Sequence, residues 1–417
     1  MKLAVVAGWI ARALVIILSL VNSRLLIDLV GVEGLAVQSI LVSLTTWFTL
    51  LNFGIPQAVQ NLISRCRAEG HNHELLKQTA SSALVVIFVV LLPVVMLLGV
   101  AIRHFVLARY PGVATITVIL FCVGLFIAGL SVLFNLVLYA EQRGHWPNLY
   151  PAVNSLFVTG SLIAFRFLAI YDINQILLIL VIGNLLVAAI GALQAGVYRR
   201  WSLDRHILKE IWHHSRGFAL FSFLAAGVLG IDYLVMSRVL AAHDIAVYNI
   251  CQRVFMALFS VHAIILTSAW SSVSETLFAK QWELARKKIR SLLIIGGGMV
   301  IILGSFIMIF MENIADIVSH HVITLVPVSL TSLFVIYMLL RVWSDTYAMA
   351  LLSFNETNLL NRYVPVQAIV SILAQIVLGK EYGSTGIMLG LILSFAVTSV
   401  WILPKAFYHT TRERACD

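Results

Sequence analysis

The chain has 417 residues, of which 61% are hydrophobic and only 11% charged, and its formal net charge is +9. A water-soluble domain carries about a quarter charged residues, and so apolar a surface aggregates in water. A soluble enzyme or nucleic-acid-binding module is excluded, and the basic excess needs another explanation.

In chain order, apolar runs between polar breaks predict helices near 4–28, 34–64, 79–102, 113–139, 148–170, 175–198, 216–240, 245–274, 291–311, 322–353, 364–379 and 384–408. Ala83 to Ile102, Val113 to Ala140 and Val322 to Leu340 carry no charge, and about 20 helical residues cross a bilayer. The short alternating segments of a membrane barrel are missing. The first run begins Met1-Lys2, is interrupted by Arg12 and lacks a small-x-small cleavage site, so it reads as a retained helix and not as a signal peptide. In the second run Asn52, Gln57, Gln60, Asn61 and Ser64 cluster around Pro56. Their amides and hydroxyls suit sugar hydroxyls, and equally suit hydrogen bonds between helices in lipid. Glu275 to Arg290 reads as an inner amphipathic helix, a topology anchor or a contact for anionic lipid. Gly296-Gly-Gly298 follows no strand, which rules out a phosphate loop; close helix packing or flexing fits it better.

Lysine and arginine set the orientation. With a cytoplasmic N-terminus, inner loops and ends collect Lys2, Arg65, Arg67, Lys77, Arg143, Arg199, Arg200, Lys287, Lys288, Arg412 and others, whereas outer loops hold only Arg103, Arg109 and Lys380. The positive-inside rule therefore places both termini in the cytoplasm. The outer loops are too short to fold as domains.

Gly34-Leu-Ala-Val-Gln-Ser-Ile40 aligns with Asp244-Ile-Ala-Val-Tyr-Asn-Ile250, and the same offset brings Asn22 onto Asp232, Ser64 onto Ser274 and Lys77 onto Lys287. An even number of spans per half makes the repeat parallel, with a cavity between the halves. The expected architecture is an all-α integral membrane protein of about twelve transmembrane helices. Two six-helix lobes, 1–198 and 216–417, would be joined by a cytoplasmic linker, 199–215.

Arg12, Arg24, Arg166, Arg238, Arg253 and Arg341 remain within spans, as do Asp232 and Asp345. A charge at the bilayer centre costs about 2.5–3.5 kcal/mol, so such groups face a wet cavity or a partner. Arg166 and Arg238 lie near outer ends and can snorkel. Arg341, Asp345 and Tyr337 share one helix face, as an ion pair between helices or part of a cavity. Arg24, Arg253, Arg341 and Arg12 are the candidate anion contacts, because the guanidinium fork pairs bidentately with phosphate oxygens. Asn52 and Gln57 are the candidate sugar contacts, and Asp232 and Asp345 the candidates for a coupling proton or sodium ion. His71-x-His73, His213-His214 and His320-His321 have no carboxylate cluster beside them, and the four cysteines have no CxxC spacing, so neither metal nor cofactor is expected. No nucleophile–base constellation marks an enzyme.

Ser23-Arg-Leu-Leu-Ile-Asp-Leu-Val-Gly-Val-Glu-Gly-Leu-Ala36, followed by Asn52-Phe-Gly-Ile-Pro56, resembles the opening of Wzx-type O-antigen and polysaccharide flippases. So do Ile231-Asp-Tyr-Leu, Val247-Tyr-Asn-Ile250 and Ser268-Ala-Trp-Ser271 in the second half. These flippases belong to the multidrug/oligosaccharidyl-lipid/polysaccharide exporter superfamily. The resemblance implies a multi-pass protein of the bacterial inner membrane that flips undecaprenyl-pyrophosphate-linked O-antigen units to the periplasm. Its partners would be that lipid-linked oligosaccharide, membrane lipids and other polysaccharide assembly proteins, and not nucleic acid. The related lipid II flippases use cavity arginines but carry two further spans; only Arg24 and Arg253 occupy comparable places here. The competing expectations are an ion-coupled multidrug exporter, which would favour acidic and aromatic cavity residues, and a polysaccharide polymerase or ligase, which would need a large outer loop. A lipid scaffold would leave the buried charges unexplained.

Overall fold

In hydrocarbon every backbone N–H and C=O needs a partner inside its own segment, so an apolar chain of this length resolves into helices. The computed structural model describes residues 2–108, 110–196, 201–229, 232, 235–236, 239–240, 242–318 and 325–413, and among them every regular element is helical. Arg109, Arg199, Arg200, Arg238, His320, His321 and Cys416 lie outside the described residues. Among the described residues, eight stretches are long and apolar enough to cross a membrane, the longest running from Thr357 to Arg412. Large apolar side chains point outward, as lipid rather than water would require: Leu97, Ile302 and Ile309 are each at least 70% exposed. The chain divides into two compact units, Met1–Ala219 and Leu220–Asp417.

In the first unit, α1 (Lys2–Ser43) is followed by α2 (Thr45–Leu50), α3 (Ile55–Ala68), α4 (Glu74–Ala101), α5 (Thr115–Ala140), α6 (His145–Phe167) and α7 (Ile173–Ala195). The sequence separated 4–28 from 34–64, and α1 is kinked in that interval at Gly31, whose non-helical φ of 71° and ψ of −176° suit glycine. The second predicted span breaks at 51–54. There Asn52 accepts from the Gly54 N–H at 3.0 Å and donates to the Gly129 carbonyl of α5 at 3.4 Å. Gly54 has φ 70°, and a Cβ there would lie 2.6 Å from Phe218 and 2.8 Å from the Ser215 carbonyl. Pro56 then opens α3, where a missing N–H costs nothing. The core gathers around α5, against which α2, α3, α4 and α7 pack, while Leu25, Leu26 and Leu29 of α1 pack on Leu162 and Ile176.

Helix α8 (Arg205–Leu229) leads into the second unit, built from α9 (Ala242–Phe278), α10 (Trp282–Val318), α11 (Val328–Ser353), α12 (Thr357–Val397) and α13 (Ser399–Glu413). The predicted amphipathic helix over 275–290 is divided by a turn at 279–281, with Lys280 at φ 56°, so its basic residues open α10 instead. The runs predicted at 364–379 and 384–408 are the arms of a hairpin bent at Gly383, φ 61°. Central here is α11, packed on α9, α10, α12 and α13. The glycine triplet divides its labour. A Cβ on Gly296 would sit 2.5 Å from the His262 ring and 2.8 Å from Val342, whereas Gly297 and Gly298 face open space.

Candidate functional site

Helix α11 places Tyr337, Arg341 and Asp345 on one face by its four-residue spacing. Arg341 lies about 20 Å from the start of the helix, near the middle of a 26-residue element, and is 8% exposed. Each of its nitrogens makes a hydrogen bond. Nε and Nη2 both donate to Asp345 Oδ2, at 3.0 and 2.9 Å, and Nη1 donates to the Tyr337 hydroxyl at 3.1 Å. The Phe259 ring of α9 covers the guanidinium face, 4.6 Å from Cζ. A desolvated charge left alone would be costly, and here it is matched within one helix.

A cavity of about 340 Å³ opens beside this pair, lined by Trp270, Arg341, Ser344, Asp345, Tyr363 and Gln367 among others. Ser344 Oγ is buried without a hydrogen-bond partner among the described residues, and Gln367 Oε1 accepts from Ser399 Oγ at 3.1 Å. A second cavity of about 80 Å³ contains Asp232, Tyr248, Gln252, Tyr337 and Arg341. Asp232 is 3% exposed; its Oδ2 accepts from the Tyr248 hydroxyl at 3.3 Å, and its Oδ1 has no partner among the described residues. Tyr337 and Arg341 thus connect the two predicted carboxylates.

The first unit buries a charge near a helix end. Lys77, 5% exposed, lies 2.8 Å from Glu74 and 2.7 Å from Glu141 and also donates to the Ala195 carbonyl at 3.4 Å. Burial by itself would raise the Glu141 carboxyl, but hydrogen bonds from His73 and Lys77 outweigh it and hold the pKa at about 2. His73, Glu74 and Glu141 converge closely enough to ligate a cation, and the Lys77 ammonium supplies one between the carboxylates. Above this cluster a cavity of about 450 Å³, lined by Ser81, Phe88, Leu130, Phe134 and Trp201, is almost wholly apolar.

Of the predicted site residues, Arg341, Asp345 and Asp232 are brought together. Arg12, Arg24 and Arg253 are exposed on their units and line none of these cavities; Arg253 Nε donates to Asn249 at 2.9 Å. Asn52 is 4% exposed, with both its polar atoms engaged by backbone. Gln57 is half-buried, its Oε1 without a partner among the described residues. Arg166 pairs with Asp28 at 3.0 Å, tying α6 to α1. Trp270, Ser344, Tyr363 and Gln367 escaped the sequence reading because each is a single uncharged residue in an apolar helix. The recurrence of Phe259, Ala263, Thr267 and Trp270 at helical spacing on one cavity wall was the available signal.

Solved structures share this fold from end to end. A MATE transporter of Vibrio cholerae superimposes with a TM-score of 0.80 at 15% identity, over 99% of this chain and 97% of that one. A MOP superfamily transporter of Pyrococcus furiosus gives 0.73 at 14% identity, over 99% and 95%. The fold is shared with these membrane transporters. Among sequence relatives, the "Putative O-antigen export protein" of Yersinia pseudotuberculosis is 30% identical over 97% of this chain and 95% of its own length. The "Putative O-antigen transporter" of Salmonella typhimurium is 30% identical over 97% and 96%. No protein-family model matches the chain. The chain belongs to the O-antigen transporter family: a multi-pass protein of the bacterial inner membrane, and a transporter rather than an enzyme.

Proposed function

We propose that this protein flips undecaprenyl-pyrophosphate-linked O-antigen, or a related surface-polysaccharide unit, from the cytoplasmic to the periplasmic face by alternating access. The observation that carries this reading is the 30% identity to the Yersinia O-antigen export protein along 97% of the chain. Twelve crossings in two six-helix lobes, 1–198 and 216–417 about the linker 199–215, with both termini inside, fit the kink at Gly31 and the hairpin at Gly383, each of which divides one long helical stretch in two. The sugar and pyrophosphate would occupy the water-filled space while the lipid tail stays in the bilayer.

Arg24 and Arg253, exposed and without a carboxylate partner in any described ion pair, are the proposed pyrophosphate contacts; Arg12, also exposed, would assist near the inner side. Gln57, whose carbonyl oxygen has no partner among the described residues, is a sugar contact, whereas Asn52 serves the helix break. Asp232 is the better coupling candidate, since Asp345 is held by Arg341. An anion moving outward gains about 2.3 kcal/mol per charge per 100 mV of inside-negative potential, so voltage would contribute to the flip.

The test is complementation. In a strain deleted for its O-antigen exporter and supplied with the matching sugar genes, this chain should restore the lipopolysaccharide ladder. Arg24→Ala and Arg253→Ala, at equal membrane abundance, should each reduce it at least tenfold. An unrestored ladder, with drug resistance conferred in its place, would favour a multidrug exporter.

A further inference from the structure

The second-unit cavity beside Arg341 differs from a phosphate site in charge, in its free hydrogen-bonding groups and in its walls. We propose that it is a sugar-binding subsite that takes one or two neutral pyranose rings of the exported unit and excludes the pyrophosphate; this rests on the export function proposed above.

Charge is the first ground. Every nitrogen of Arg341 is engaged, two on Asp345 Oδ2 and one on the Tyr337 hydroxyl, and the Phe259 ring covers its face. A pyrophosphate could take the Nε–Nη2 edge of the guanidinium only by displacing Asp345. It would then place further negative charge beside that carboxylate, with Asp232 just across Tyr337 and Arg341 in the smaller cavity. In a low-dielectric interior like charges in contact repel strongly. The predicted anion contact is therefore converted by its own helix into a neutral polar wall.

Hydrogen-bonding capacity is the second. Asp345 spends one oxygen on both arginine bonds, and among the described residues nothing is bonded to the other, although the side chain is 31% exposed. Ser344 lines the same cavity, and its buried Oγ has no partner among the described residues. Gln367 gives its carbonyl oxygen to Ser399 and keeps its amide N–H groups to donate. An acceptor, a hydroxyl and an amide donor match sugar hydroxyls, each of which both donates and accepts. A small apolar ligand would leave all three unsatisfied, at a cost typical of buried polar groups.

The third is shape. Trp270, Tyr363 and Phe259 supply aromatic walls on which the C–H face of a pyranose can lie. About 340 Å³ is near the lower limit for small-molecule sites, so most of a longer repeat unit must lie outside it. Such a cavity reads a terminal ring and not the whole oligosaccharide.

The experiment uses the full-length protein in nanodiscs. Methyl α-mannopyranoside, methyl α-galactopyranoside, methyl α-rhamnopyranoside and inorganic pyrophosphate are titrated in turn, with saturation-transfer NMR and tryptophan fluorescence as readouts. At least one glycoside should bind saturably in the millimolar range, unaffected by a tenfold excess of pyrophosphate. Gln367→Ala and Ser344→Ala should each weaken it at least fivefold, with unchanged elution and melting; Trp270→Ala should abolish it and Trp270→Tyr retain it. Should Gln367→Ala not fold, Ser344→Ala and the Trp270 pair decide alone. The inference is overturned if no glycoside binds, if pyrophosphate displaces the glycoside, or if binding survives the Ser344 and Trp270→Ala substitutions. The ladder assay with unaltered protein separates the two claims: a restored ladder without glycoside binding removes only the subsite, and glycoside binding without a restored ladder removes the export function.

Discussion

Lys77 in the first unit and Arg341 in the second are both almost fully buried cations, yet they are neutralised differently. Lys77 lies three residues from the start of α4 and draws on α5 and α7: Glu141 just beyond one helix and the Ala195 carbonyl at the end of the other. Arg341 is mid-helix and is matched by Asp345 one turn along its own helix. Depth explains the difference. Near a helix end, loop residues and terminal carbonyls can converge on a charge; at mid-depth the partner must come from a helix interior, and the i,i+4 neighbour is the nearest. The first arrangement staples several helices, whereas the second leaves a balanced dipole facing a cavity.

The largest expected effect comes from breaking the second arrangement. Asp345→Leu strands the buried Arg341 charge and should cost about 3–5 kcal/mol, Arg341→Leu leaves the partly exposed Asp345 and should cost less, and the double substitution should cost much less than the first. Melting of the three variants in nanodiscs checks this; additive losses would show that the charges do not depend on each other.

In the first unit pH is the probe. The Glu141 pKa of about 2 lies below the ordinary carboxylate value of 4.5, so its stabilisation is complete above about pH 4.5 and is lost as pH falls towards 2. At most about 3 kcal/mol is involved. Glu141→Gln should flatten the decline in melting temperature between pH 5 and pH 3, and a decline of undiminished slope would assign it to other groups.

Packing differences come next. Gly296→Ala should destabilise by about 1–3 kcal/mol, since His262 and Val342 must retreat. Gly297→Ala, open on every side, should stabilise by up to about 1 kcal/mol. Equal melting temperatures for the two would mean that the His262 contact is slack. Smallest of all, Arg166→Ala breaks a pair whose side chains are 60% and 39% exposed and should cost under about 1 kcal/mol.

Helical architecture was legible because hydropathy reports lipid exposure directly. The pairing of Arg341 with Asp345 was legible too, as a four-residue spacing. The breaks at Gly31 and Gly383 were legible as polar intervals between apolar runs, although hydropathy did not single out the glycine that turns the chain. The break at 51–54 was harder. Asn52 looked like a ligand group because its partners are the backbone of Gly54, two residues away, and the carbonyl of Gly129, invisible to pattern. Lys77 was legible as a charge beside the start of an apolar run, whereas its staple to Glu141 joins residues 64 apart in sequence.

The hairpin of α12 has a mechanical consequence. A Cβ on Gly386 would fall 1.9 Å from the Leu378 carbonyl oxygen, and one on Gly390 would fall 2.6 Å from the Gln375 nitrogen. With main chain pressed on main chain, the two arms have no side-chain cushion over which to slide or splay. They must swing as one stiff lever, and bending is relegated to its far end, where Thr398 departs from helical geometry. Gln367 and Ser399 hydrogen-bond across that end, so a swing of the lever would reshape the cavity they line.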